Sequence, residues 1–61
     1  MGFKKAREAA GISMQEAAAQ IGVSFQAISL WENGKTMPKA SKLLKIAEVY
    51  GCSVNDLIAA D

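Results

Sequence analysis

The chain has 61 residues, 51% of them apolar, with seven Lys or Arg against six Asp or Glu and a net charge of +1. That composition excludes a disordered tail, and the small charge excludes a global basic field, so any affinity for nucleic acid must come from local placement of charge. One cysteine and no histidine exclude an intramolecular disulfide, a cysteine-based zinc cluster and the usual general base.

A chain of this length is expected to form one domain, residues 1–61, with a small core. The single proline and the many alanines favour helices. No apolar run approaches the roughly 20 residues of a membrane span. The opening MGFKKAREAAG lacks the apolar centre of a signal peptide. A cytoplasmic setting is therefore expected.

The first helix is predicted over Phe3–Ala10, with Phe3, Ala6, Arg7 and Ala10 on one face and Gly11 ending it. Ile12 bridges to Ser13. An arginine on a core-facing stripe is unusual, because arginine is rarely buried without a partner. Either Arg7 snorkels to the surface or it pairs with a carboxylate, for which Glu32 is the candidate.

Ser13 begins an S-x-x-E capping signature with Glu16, and a second helix follows with Ala17, Ala18 and Ile21 on one face. Gly22 stands where a left-handed exit is needed, and Val23 plugs the corner. Ser24 caps a third helix whose inner face carries Ile28 and Trp31. A small residue at Ala18, then Gly22, then β-branched Ile28 is the spacing of a DNA-reading helix-turn-helix. An αα-hairpin with no role on DNA shares part of that pattern.

Asn33-Gly34 closes the third helix, and Lys35-Thr36-Met37 forms an exposed loop. Pro38 is expected to open a fourth helix, where its fixed φ is harmless. Leu43, Leu44, Ile46, Ala47 and Tyr50 make that helix apolar over a wide arc, as a central core element would be. Gly51 ends it. Ser53, with Asp56 three residues on, caps a short last helix bearing Val54, Leu57 and Ile58. The expected fold is all-α, five short helices in one compact unit.

The segments R-E-A-A-G-I-S (Arg7 to Ser13), A-A-x-x-I-G-V-S (Ala17 to Ser24), I-S-x-W-E-N-G (Ile28 to Gly34), L-L-x-I-A (Leu43 to Ala47) and G-C-S-V-x-D-L-I (Gly51 to Ile58), with Pro38, resemble the Cro/repressor-type helix-turn-helix family, the XRE or lambda-repressor-like family. The resemblance covers essentially the whole chain. It implies a DNA-binding regulator of the phage and bacterial kind, commonly dimeric on its operator, and it pairs Arg7 with Glu32. Two departures stand out. Met14 replaces a usual glutamine, which removes an amide from a phosphate-binding position. Ala17 replaces a usual leucine, which shrinks the core beside the turn.

The resemblance places base-contacting residues at Ser24, Phe25, Gln26, Ser29 and Leu30, the positions left facing outward when Ile28 and Trp31 face in. Gln26 suits adenine, because its amide can pair with N6 and N7 together. Phe25 and Leu30 suit thymine methyls, or else form a protein-binding patch. No arginine occupies a reading position, which argues against strong guanine readout. Phosphate contacts are expected from the backbone at Met14 and Gln15 and from Asn33, Lys35, Thr36 and Lys39. Lys4, Lys5, Lys42 and Lys45 are expected to be ordinary surface charges, and Cys52 an inert thiol.

With no histidine, no nucleophile–base pair and no phosphate loop, no enzymatic site, cofactor, metal or small-molecule ligand is expected. Double-stranded DNA is the expected partner, read in the major groove, by a transcriptional repressor acting as a homodimer. The rival reading is an antitoxin-like or coactivator-like adaptor using the Phe25/Leu30 face. The expected dimer surface is the last helix and tail, Asn55 to Asp61, with Leu57 inward and Asn55, Ile58 and Ala59 near the two-fold axis.

Overall fold

Serine hydroxyls start three of the helices. The computed structural model describes residues 2–59. Ala60 and Asp61, the end of the tail assigned above to the dimer surface, lie outside the described residues. Among those residues there are five helices and no strand: α1 (Phe3–Ala9), α2 (Met14–Ile21), α3 (Phe25–Glu32), α4 (Ala40–Tyr50) and α5 (Val54–Ile58).

The Ser13 hydroxyl accepts from the Glu16 N–H at 3.0 Å, Ser24 from Ala27 at 3.1 Å and Ser53 from Asp56 at 3.1 Å. Each satisfies one N–H that a helix start leaves without a partner. The reciprocal capping box forms only at α5, where Asp56 also accepts from the Ser53 N–H at 3.2 Å. At α2 the expected return bond gives way to another: the Glu16 carboxylate accepts instead from the Gln20 amide at 3.3 Å, one turn along the helix.

The turn between α2 and α3 depends on Gly22, whose φ of 86° is left-handed. The Val23 N–H then donates to the Ala18 carbonyl at 3.0 Å, which turns the chain sharply into Ser24. The same closure ends α3. Gly34, at φ 71°, donates to Trp31 at 3.2 Å, and Lys35 donates to Leu30 at 2.9 Å.

Side chains from all five helices meet in the core, with Ile28, Ile46 and Leu57 at its centre. Helix α4, whose composition suggested a central element, packs on α1, α2 and α5 and supplies Ile46, one of the fully buried side chains. Two expectations about it need correction. It does not start at Pro38. Lys39 takes the N-cap position and the helix begins at Ala40. The Pro38 ring is buried instead, so it anchors the extended approach to the helix. Leu44 is not in the core but 67% exposed. At about 100° per residue, Leu43, Ile46, Ala47 and Tyr50 share a narrow stripe, and Leu44 falls well outside it. Helix α1 also closes one residue early, with Ala10 as its C-cap.

Burial pushes the Tyr50 phenol up to about 12, with the Glu32 carboxylate adding to the shift. The folded chain therefore holds this proton at pH values where the unfolded chain releases it. Stability from the neutral phenol should be fully present below about pH 10 and be lost as pH rises toward 12. Denaturant titrations at pH 9 and above pH 11 check this. The parent should lose more stability between them than Tyr50→Phe, which has no proton to release. Cys52 is half-buried against the core, and burial pushes its thiol up, away from the reactive thiolate form.

Candidate nucleic-acid interface

Helix α3 presents one face to the core and the other to solvent. Ile28 is fully buried and Trp31 nearly so, while Phe25, Gln26 and Leu30 are exposed and Ser29 is half-buried. Four of the five expected reading residues line one shallow, open depression: Phe25, Gln26, Ser29 and Leu30. Ser24 stands exposed at the N-cap with its hydroxyl oxygen engaged by Ala27.

The outward face of α3 carries no formal charge. The only ionised side chain in α3 is Glu32, at its last turn, and it is neutralised from the core side. Arg7 donates through Nε to Glu32 Oε2 at 2.6 Å and through Nη2 to Oε1 at 3.3 Å. Its Nη1 donates to the Ile12 carbonyl at 2.9 Å. One guanidinium thus ties α1, the link to α2 and the end of α3, in the planar fork that suits a carboxylate. The hydrogen bond to Glu32 raises the Arg7 pKa despite the opposing cost of burial. The apolar stripe of α1 holds this arginine because its partner is present, rather than because it reaches solvent. Beside the pair, the Phe3 and Trp31 rings meet at 6.3 Å between centroids, tilted by 40°.

The residues expected at phosphates fall into two groups. Met14 and Gln15 begin α2, whose first backbone N–H groups have no partner within the helix. The Met14 side chain packs against the core, so only its backbone is offered. Glu16 sets a carboxylate in the same turn, which opposes an anion there. On the other side Lys35, Thr36 and Lys39 are exposed in the segment between α3 and α4. Asn33 is exposed too, but its amide folds back to donate to the Ser29 carbonyl at 2.9 Å and hydroxyl at 3.3 Å. It helps to close the helix and is only partly available to a ligand. Lys45 meets Glu48 at 3.8 Å in a solvated pair of small energetic weight.

A model of the helix-turn-helix family matches residues 3–57. The chain belongs to this family. Its members of the XRE, lambda-repressor-like type are DNA-binding regulators of transcription, not enzymes. No curated protein matches the sequence at a significant level. In helix-turn-helix terms α2 and α3 are the paired helices and α3 is the second of the two. Among the described residues no helix is long and apolar enough to cross a membrane.

Of the expected dimer residues, Asn55 and Ile58 are exposed, Ala59 is half-buried and Leu57 points into the core. Met37, expected in an exposed loop, is 62% exposed and borders the same open cleft as Lys35, Thr36 and Ile58, a neighbourhood that sequence reading gave no role. The signal was an unsupported apolar residue in a polar loop. Only the fold reveals that the loop and α5 are neighbours.

Proposed function

We propose that this chain reads double-stranded DNA in the major groove through α3 and acts as a transcriptional repressor, as a homodimer on a pseudo-palindromic operator. The observation that carries the reading is the outward row Phe25, Gln26, Ser29 and Leu30 on a helix pinned from behind, with Lys35 and Lys39 after it. Gln26 selects a base, the two lysines hold phosphates, and the backbone at Met14 and Gln15 takes a phosphate on the other side. Repression needs no more than occupancy of a promoter.

Selection of binding sites from random DNA is the direct test. On the selected site, Gln26→Ala should cost about 1–3 kcal/mol and relax choice at one position. Lys35→Ala should weaken all sequences alike and lower the salt slope by about 1. Equal losses on specific and random DNA for both variants would remove Gln26 from base reading.

A helix of eight residues contacts too few bases for useful specificity, which is why the reading includes a second copy. Two half-sites lie about 34 Å apart, one turn of DNA. Asn55, Ile58 and Ala59, with Met37 beside them, form the proposed contact between subunits. The patch is small and the dimer correspondingly weak, strengthened when DNA holds both subunits together. Sedimentation should give a monomer at micromolar concentration and two subunits per operator with DNA. One subunit per operator at saturation would refute the dimer, and a stable dimer without DNA would refute its weakness.

A second reading, a protein-docking adaptor, draws on the exposure of Phe25 and Leu30 and on the absence of positive charge in α3. Failure of the selection to enrich any sequence would favour it.

A further inference from the structure

The depression on α3 has a composition that narrows what it accepts. Residues 25 and 29 stand one turn apart, as do 26 and 30, so the four side chains form two adjacent rows along the helix. Ser29, small and half-buried, makes the floor, and its hydroxyl already accepts from the Asn33 amide. Phe25 and Leu30, 48% and 42% exposed, make apolar walls. The space between is about 330 Å³ and open to solvent. Gln26 brings the one amide on its rim, with a donor and an acceptor in the fixed spacing that can bond two base atoms together.

We infer that this depression is a thymine-methyl receptor, so that the half-site is read through A·T pairs, with Gln26 on an adenine and Phe25 and Leu30 around the 5-methyl groups of neighbouring thymines. The inference rests on the reading of α3 as a DNA-reading helix. In the major groove the thymine methyl is the one apolar group that a base edge presents. A guanine would present two acceptors, and α3 has no arginine or lysine to meet them. The charge pattern agrees. The neutral apolar depression matches a base edge, and the nearest cation in sequence, Lys35, follows the end of α3 with its backbone N–H bonded to the Leu30 carbonyl. A protein partner is the competing occupant.

The test uses the full chain and its selected duplex, with each thymine in turn replaced by deoxyuridine, which keeps every hydrogen bond and removes only the methyl. Loss of one buried methyl should weaken binding about fourfold at one or two positions per half-site. Leu30→Ala and Phe25→Ala, both at exposed positions, should stay folded by circular dichroism. Each should bind the thymine and uracil duplexes more nearly alike than the parent does. Equal binding of thymine and uracil duplexes by the parent overturns the methyl receptor and leaves DNA reading intact. Full discrimination retained in both variants also overturns it, because the methyl is then sensed elsewhere. If no sequence is enriched from random DNA, the receptor fails together with the reading it rests on, as a protein occupant would require.

Discussion

Glu32→Gln should destabilise the fold by about 3–5 kcal/mol, because it leaves the Arg7 guanidinium buried beside a neutral group. Both side chains are largely out of solvent, at 11% and 7% exposure, so water cannot replace the lost charge without opening the structure. The Ile12 carbonyl still accepts from Nη1, which offsets one hydrogen bond and not the charge. For a chain this short, about 4–8 °C of melting temperature goes with each kcal/mol. The variant should therefore melt more than ten degrees below the parent. The double variant Arg7→Met with Glu32→Leu separates the causes. It removes both charges at similar volume and should recover most of the loss, since an apolar pair is often as stable as a buried ion pair. A Glu32→Gln protein that melts within a few degrees of the parent would mean that the pair contributes little. The consequence for function is positional: Glu32 ends α3, so the pair fixes the end of that helix opposite its N-cap.

Most of this fold was legible in short-range sequence signals, because most of its decisions are local. A serine before each of α2, α3 and α5, and a glycine after α2 and α3, set boundaries through bonds spanning five residues or fewer. The misreadings arise where tertiary packing decides. Pro38 fits the first position of a helix equally well, and only burial of its ring shows that it belongs to the approach. Leu44 has the composition of a core residue, and only the narrow stripe of α4 excludes it. The Glu16 carboxylate accepts from Gln20 rather than closing the capping box that its spacing from Ser13 suggested. On the interface, the outward set of α3 follows from Ile28 and Trp31 facing in. The retreat of the Asn33 amide onto Ser29, the proximity of Met37 to Ile58 and the shared depression on α3 do not. Those depend on side-chain rotamers and on elements distant in the chain, which periodicity does not encode.

Trp31→Ala should be the most damaging apolar substitution in α3, at about 3–5 kcal/mol. Trp31 is 9% exposed and its ring meets Phe3 across the α1–α3 contact. Truncation leaves a void that its neighbours cannot close, since Phe3 is held at the start of α1 and Glu32 is held by Arg7. Ile28 would remain the only fully buried anchor on the inner face of α3. Small chains have total stabilities near the low end of about 5–15 kcal/mol, so the variant should be largely unfolded at 37 °C. Trp31→Phe keeps a ring against Phe3 and should lose less than half as much. Far-ultraviolet circular dichroism against temperature measures both. DNA titration at 5 °C then separates stability from recognition, because Trp31 faces the core rather than the solvent side of α3. The fraction of Trp31→Ala that remains folded in the cold should bind with the base preference of the parent and with affinity reduced only by the unfolded fraction. A folded Trp31→Ala protein with a different base preference would place the indole in the reading of DNA and overturn its assignment to the core side of the helix.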